Sequence, residues 1–189
     1  VVERGPSRPR FAAFAAAVVS TLCHPLLIIP VTVLLLTRDL RVSALLAAAT
    51  VLPLLVITLR NVRRGTWTNF DVSDRGQRGG LYYAAVPLTL VGAGIMYAAG
   101  APPALARGTL VVGALLLAAL LLSPFLKTSL HMLFAGWCGV MLMRGMPATV
   151  WLVPILICAL AWSRLYLKRH TWPEVAVGLA IGAAGAWLA

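Results

Sequence analysis

The sequence predicts an all-α protein, a polytopic transmembrane helical bundle of six to seven spans forming a single domain over residues 1–189. Three observations predict it. Of the 189 residues, 61% are hydrophobic and only 11% are charged, a balance far from that of a soluble domain. The apolar residues come in runs of about twenty, enough for a helix to cross roughly 30 Å of hydrocarbon with its backbone groups bonded internally. No ten-residue segments of alternating polarity occur, which excludes a barrel.

Seven runs qualify, in order 11–36, 42–60, 81–99, 104–124, 129–145, 148–167 and 172–189. The first follows the basic stretch RGPSRPR. It is too long for the apolar core of a signal peptide and has no clear cleavage site, so it reads as a retained span. It carries His24 before Pro25 at mid-span, an ionisable group at depth that is as readily explained by a Pro-disrupted backbone and is left out of the site. The fifth run is short, and tight Pro or Gly turns join the fourth to the sixth, which leaves six spans as an alternative. The last carries Gly178, Gly182 and Gly185, a small-residue face suited to close helix packing. Cys23, Cys138 and Cys158 all fall inside runs without metal-type spacing and read as small buried apolar residues.

Sixteen basic against five acidic residues give a net charge of +11. The charges sit in short loops, with no basic helix and no aromatic platform for bases, so nucleic acid is excluded and anionic lipid headgroups or phosphate are the expected partners. With seven crossings, one face collects Arg4, Arg8, Arg10, Arg60, Arg63, Arg64, Arg75, Arg78, Lys127, Arg164, Lys168 and Arg169. The other has Arg38, Arg41, Arg107 and Arg144. The positive-inside rule makes the first face cytoplasmic, and setting aside four of its cations for phosphate leaves the sign unchanged. Tyr82, Tyr83, Trp162, Tyr166 and Trp172 gather at this face as an interfacial belt would.

The same face brings together DVSDRGQR (71–78), KTSLH (127–131) and SRLYLKRHTWPE (163–174). Two histidines, a carboxylate, a serine and several cations suit an anionic substrate, because phosphoryl transfer needs positive groups around the equatorial oxygens with a positioned nucleophile and acid. Glu174 follows His170 at the spacing that stacks two side chains on one helical face. A carboxylate there fixes the imidazole tautomer and frees the other nitrogen as nucleophile or base. The competing reading is that Glu174, behind Thr171 and Pro173, serves the dipole of the last helix. His131 opens the fifth run, where it is placed either to donate a proton to a leaving alkoxide or simply to bond water at the interface.

These residues resemble the type 2 phosphatidic acid phosphatase superfamily, over roughly residues 60–185. The family's third motif is Ser-Arg, five residues, His, three residues, Asp; here it reads Ser163-Arg164, five residues, His170, three residues, Glu174. The second, Pro-Ser-Gly-His, stands as Thr128-Ser129-Leu130-His131. The first, Lys, six residues, Arg-Pro, is largely lost: Arg78 precedes Gly79, and Asp71 stands seven residues before it. The combination of Asp-Arg-x-x-Arg with Lys-x-Ser-x-His looks like a divergent branch of the family, with Lys127 standing in for the missing lysine.

The resemblance implies His170 as nucleophile forming a phosphohistidine, Glu174 as its orienting partner and His131 as general acid. It implies that Ser129, Arg164, Arg75, Arg78 and Lys127 hold the phosphate oxygens, with no metal or other cofactor. The expectation is a membrane lipid phosphatase acting on a lipid phosphate or diphosphate of the phosphatidic acid, phosphatidylglycerophosphate or polyprenyl phosphate type. A phosphotransferase of the same family and a non-catalytic lipid-binding scaffold are the alternatives.

Overall fold

The computed structural model describes residues 10–72 and 74–189, so Arg4 and Arg8 lie outside the described residues. Among the described residues the regular structure is helical throughout. Helix α1 (Arg10–Leu22) stops at Cys23, because Pro25 has no N–H to continue the ladder; the same proline then opens α2 (Pro25–Thr37) with its preset φ. His24 caps α2, its Nδ1 accepting from the Leu26 N–H at 3.3 Å. The two helices meet at a bend of 53°, so the run 11–36 is a broken element instead of one straight span.

Arg38, at φ 53°, ends α2 in the left-handed region, and Asp39 accepts from the Arg41 and Val42 amides to cap the next helix. That helix, α3 (Leu40–Arg63), widens into one π turn over Ala47–Val51 just ahead of Pro53, whose ring and missing N–H disturb a regular ladder. Then come α4 (Arg78–Ala98), α5 (Pro103–Leu122) and α6 (Leu130–Gly145). A single 3-10 turn, Pro147–Val150, leads into α7 (Leu152–Tyr166), and α8 (Trp172–Gly185) closes the chain.

Four stretches are long and apolar enough to cross a membrane: Leu40–Arg63, Arg78–Ala98, Pro103–Leu122 and Pro147–Tyr166. The bent pair α1–α2 makes a fifth if counted as one. Four to five candidate spans among the described residues do not confirm the expected count of six to seven. The difference lies in α6 and α8, whose 16 and 14 residues rise only about 24 and 21 Å.

Of these two, α6 is enclosed by the other helices, whereas α8 buries one face, Val175, Gly178, Gly182 and Gly185, and leaves Ala176, Ala180 and Ala184 exposed. Nine residues of α6, among them Leu130, His131, Met132, Leu133 and Phe134, are buried, which happens when a helix is covered on all sides. It packs against α2, α7 and, most extensively, α8, while α4 pairs with α5 and α1 with α7. Glycines bring α6 and α8 into backbone contact. A Cβ at Gly178 would lie 2.6 Å from the Ser129 carbonyl, one at Gly136 2.6 Å from the Leu179 carbonyl, and one at Gly182 would collide with the carbonyl of Leu133. Of the small-residue face read from the sequence, Gly178 and Gly182 make this contact, while Gly185 packs against Leu115 of α5.

The long-range bonds sort the loops into two ends. At one end Arg75 reaches the Ser123 carbonyl, Arg78 the Thr128 carbonyl and Lys127 the Arg169 carbonyl. At the other, Arg107 bonds the Ala189 carbonyl, Arg144 bonds the Ala186 carbonyl, and Asp39 and Arg41 meet Gly100 and Pro102. Of the cysteines only Cys138 is buried; Cys158 faces outward from α7 and Cys23 is half-buried, so the uniform burial expected of them does not hold. Tyr82 also leaves the expected aromatic belt, buried in the core beside Arg78.

Candidate active site

Three helices start at one place. His24, Ser129 and Thr171 are the N-cap residues of α2, α6 and α8, so three positive dipole ends converge; side-chain caps already pair amides of α2 and α8, while Ser129 makes no such bond. The convergence is fixed through the main chain, since the Ser129 N–H donates to the Glu174 carbonyl at 3.1 Å. Such an arrangement favours an anion.

His170 reaches this point because the chain reverses sharply after α7. Lys168 takes φ 53°, the Arg169 amide returns to the Arg164 carbonyl at 3.0 Å, and His170 falls just outside the first turn of α8. Its Nδ1 lies 2.9 Å from Glu174 Oε2, and the same oxygen accepts the Thr171 N–H at 3.1 Å within a capping box. Glu174 therefore serves both roles between which the sequence left a choice: it caps the helix and orients the imidazole. With Nδ1–H turned to the carboxylate, Nε2 presents its lone pair toward Arg78 Nη2 at 3.5 Å. Burial, then the charges of Arg78, Arg164, Lys127 and His131, push the His170 ring down from 6.5 to about 2, which keeps it neutral and nucleophilic near neutral pH.

The cations come from three elements. Arg78, at the start of α4, is buried and donates from Nη1 to the Thr128 carbonyl at 2.5 Å and from Nε to the Val72 carbonyl at 3.3 Å. Arg164, near the end of α7, is only 1% exposed, with Nη1 bonded to Ser20 Oγ at 2.6 Å and to Asp71 Oδ2 at 2.9 Å. Lys127 donates to the Arg169 carbonyl, and burial lowers its proton affinity. Four buried polar atoms in these segments, Thr128 Oγ1, Ser129 Oγ, His131 Nε2 and Arg164 Nε, have no hydrogen-bond partner among the described residues. Buried polar groups are ordinarily paired, so unmatched ones gathered beside two arginines mark a place that takes a polar ligand.

Arg75 is not part of this cluster. Its exposed guanidinium is spent on the carbonyls of Ser123 and Pro124, where it ties the 64–77 loop to the end of α5. The remaining seven residues expected from the sequence, His170, Glu174, His131, Ser129, Lys127, Arg78 and Arg164, all lie on the converging segments.

Two residues enter that the sequence reading had left out. Asp71 pairs through Oδ2 with Arg164, and its Oδ1 stands 3.7 Å from His24 Nε2 and 4.0 Å from His131 Nε2. His24 meets His131 edge to face at 5.0 Å between centroids and also contacts Phe70 at 5.0 Å. The signal for His24 was the His-Pro pair interrupting an apolar run.

Ligand atoms of His24, Asp71 and His131 all fall within 4.8 Å of one another, the donor set of a transition-metal site. Two contacts work against such use. Arg164 already neutralises the carboxylate, and the Leu26 N–H on His24 Nδ1 places that ring's proton on Nε2, the atom facing Asp71. In this tautomer His24 gives Asp71 a hydrogen-bond donor and not a metal a lone pair.

Compared with known protein families, with characterised proteins and with solved structures, the chain shows no match.

Proposed function

We propose that this chain is an integral membrane phosphatase that hydrolyses a lipid phosphate or diphosphate through a phosphohistidine, as a divergent relative of the type 2 phosphatidic acid phosphatases. One observation carries the reading. A neutral imidazole, His170, is anchored at Nδ1 by Glu174 and has Nε2 turned toward buried arginine at a point where three helix N-termini meet.

In the proposed reaction the phosphoryl oxygens are held by Arg78, Arg164, Ser129 and Lys127. The bound phosphate dianion, lying beside His131, holds that ring as imidazolium; His170 Nε2 attacks phosphorus, the bond to the ester oxygen of a monophosphate or the bridging oxygen of a diphosphate breaks, and that oxygen takes its proton from His131. Water then gives a proton back to His131 and attacks the phosphohistidine, releasing inorganic phosphate and restoring the free imidazole. Asp71 is drawn out of the cluster by neither step; it holds Arg164 and, through its second oxygen, faces the ring of His131. The charge bias of the loops supports a cytoplasmic-facing site in the cell membrane.

The test is phosphate release from purified wild type and His170→Ala over a panel of phosphatidic acid, phosphatidylglycerophosphate and polyprenyl phosphates. Wild-type release that disappears in the variant is expected, together with an acid-labile phosphoenzyme trapped on His170. Release that survives the substitution refutes the nucleophile, and a folded wild type inert on every substrate favours a non-catalytic lipid-binding role.

A further inference from the structure

An elongated apolar cavity runs from the site into the bundle, between α2, α3, α4, α5 and α6. The end toward the site, taken as its mouth, is lined by His24, Phe70, Asp71 and His131, and the far end by Leu36 and Met141. On α6 the lining residues His131, Phe134, Trp137 and Met141 follow one helical face, so the cavity extends at least about 15 Å along the axis. Neither α7 nor α8 lines it. His131 therefore stands between the cavity on one side and the segment bearing His170 on the other.

Beyond the end at His24, Asp71 and His131 the wall is largely apolar. Four threonines that line it, Thr50, Thr58, Thr89 and Thr109, spend their hydroxyls on carbonyls of their own helices at 2.7–2.8 Å, and the Trp137 indole N–H is the one buried polar atom there with no partner among the described residues. Such a wall suits hydrocarbon. The volume is ≈ 150 Å³, and in a rounder cavity that amount of space holds one benzene-sized guest. Drawn out over about 15 Å, it admits one slender chain and not two side by side.

We infer that this cavity holds the single hydrocarbon chain of a one-chain phosphate or diphosphate ester, with the phosphorylated end at its mouth, and that it excludes diacylglycerol esters. The inference rests on the phosphatase reading for the identity of the head, and on the cavity alone for the tail. It gives His131 a specific position: the ester oxygen joining head to tail lies at the boundary that His131 occupies, where a leaving alkoxide needs its proton.

The experiment uses the reaction's alcohol products, which need no turnover. Wild-type protein in lipid nanodiscs is photolabelled with a long single-chain alcohol carrying a terminal diazirine, or with a diacylglycerol carrying the same group. Labelled residues are mapped by mass spectrometry. Labelling of Leu36 or Met141 by the single-chain probe, competed by the unlabelled alcohol and absent with diacylglycerol, is expected. Equal labelling of these residues by both probes overturns the inference, as does single-chain labelling confined to outward residues such as Leu110 and Leu117.

Ala85→Phe, which fills the cavity from α4, is expected to lower single-chain labelling about tenfold, a loss of about 1.4 kcal/mol in binding. Val112→Phe from α5 repeats the test should the first variant not fold. Activity separates the two readings: a folded wild type that is labelled inside the cavity but releases no phosphate from any ester sinks the phosphatase while leaving the chain site standing.

Discussion

Arg75 and Arg78 are three residues apart in one basic stretch, yet their surroundings assign them different work. Arg78 is buried against His170, whereas Arg75 is exposed and tied to two carbonyls. Arg78→Ala is expected to reduce kcat/KM by about 10²- to 10³-fold, as losing one donor to a developing anionic charge does. Arg75→Ala is expected to change it by no more than about twofold. Steady-state kinetics on the same lipid phosphate distinguishes them. His170 makes a second prediction at this scale. Its folded-state proton affinity lies far below 6.5, so its imidazole nitrogen resonances should remain those of a neutral Nδ1–H ring from about pH 8 to about pH 5. The sign for stability follows: below 6.5 the unfolded chain takes up a proton that the folded ring refuses, so acidification from there toward 2 favours unfolding. The His170–Glu174 pair was legible because it is local, four residues on one helical turn. The difference between Arg75 and Arg78 was not, because it depends on carbonyls about fifty positions away.

Among the helices, the contact that positions the site is α6 on α8. Gly182 has no room for even one methyl group against the Leu133 carbonyl. Gly182→Ala is expected to push the helices apart and lower stability by about 1–3 kcal/mol, or roughly 2–4 °C in Tm for each kcal/mol. Because the Ser129–Glu174 main-chain bond spans the same interface, activity should fall along with thermal stability. Fluorescence-detected unfolding and phosphate release on one preparation check both. The sequence disclosed helix positions well, since apolar runs and Pro-Gly breaks mark them directly. The number of crossings it expected is not confirmed. Composition alone does not separate a lipid-facing helix from one enclosed by protein, and α6 is apolar for the second reason. The break at His24 escaped for a related cause: Pro25 signals an interruption, but whether it kinks a span or starts a new helix depends on what packs around it.

At the level of the whole molecule, the candidate site and most of the charge share one end, and the Arg41, Arg107 and Arg144 loops lie at the other. Single cysteines introduced at Arg64 and Lys168, in a background lacking Cys23, Cys138 and Cys158, are expected to react with an impermeant thiol reagent from one side of the membrane. Cysteines at Arg41 and Arg107 are expected to react from the other. All four positions are exposed. Labelling of Arg64Cys and Lys168Cys from different sides would separate segments that the site requires together.

The grouping of the three polar stretches on one face was readable from loop parity, although the span count behind it is not confirmed. The grouping does not depend on that count, because α6 and α8 begin at the site and run away from it whether or not they cross. Many of the links that hold the site end on peptide oxygens: Arg78 on Thr128, Lys127 on Arg169, and the Ser129 amide on Glu174. Such anchors have no alphabet. Any residue at 128 or 169 supplies the same carbonyl, so letters at those places are free to drift while the geometry persists.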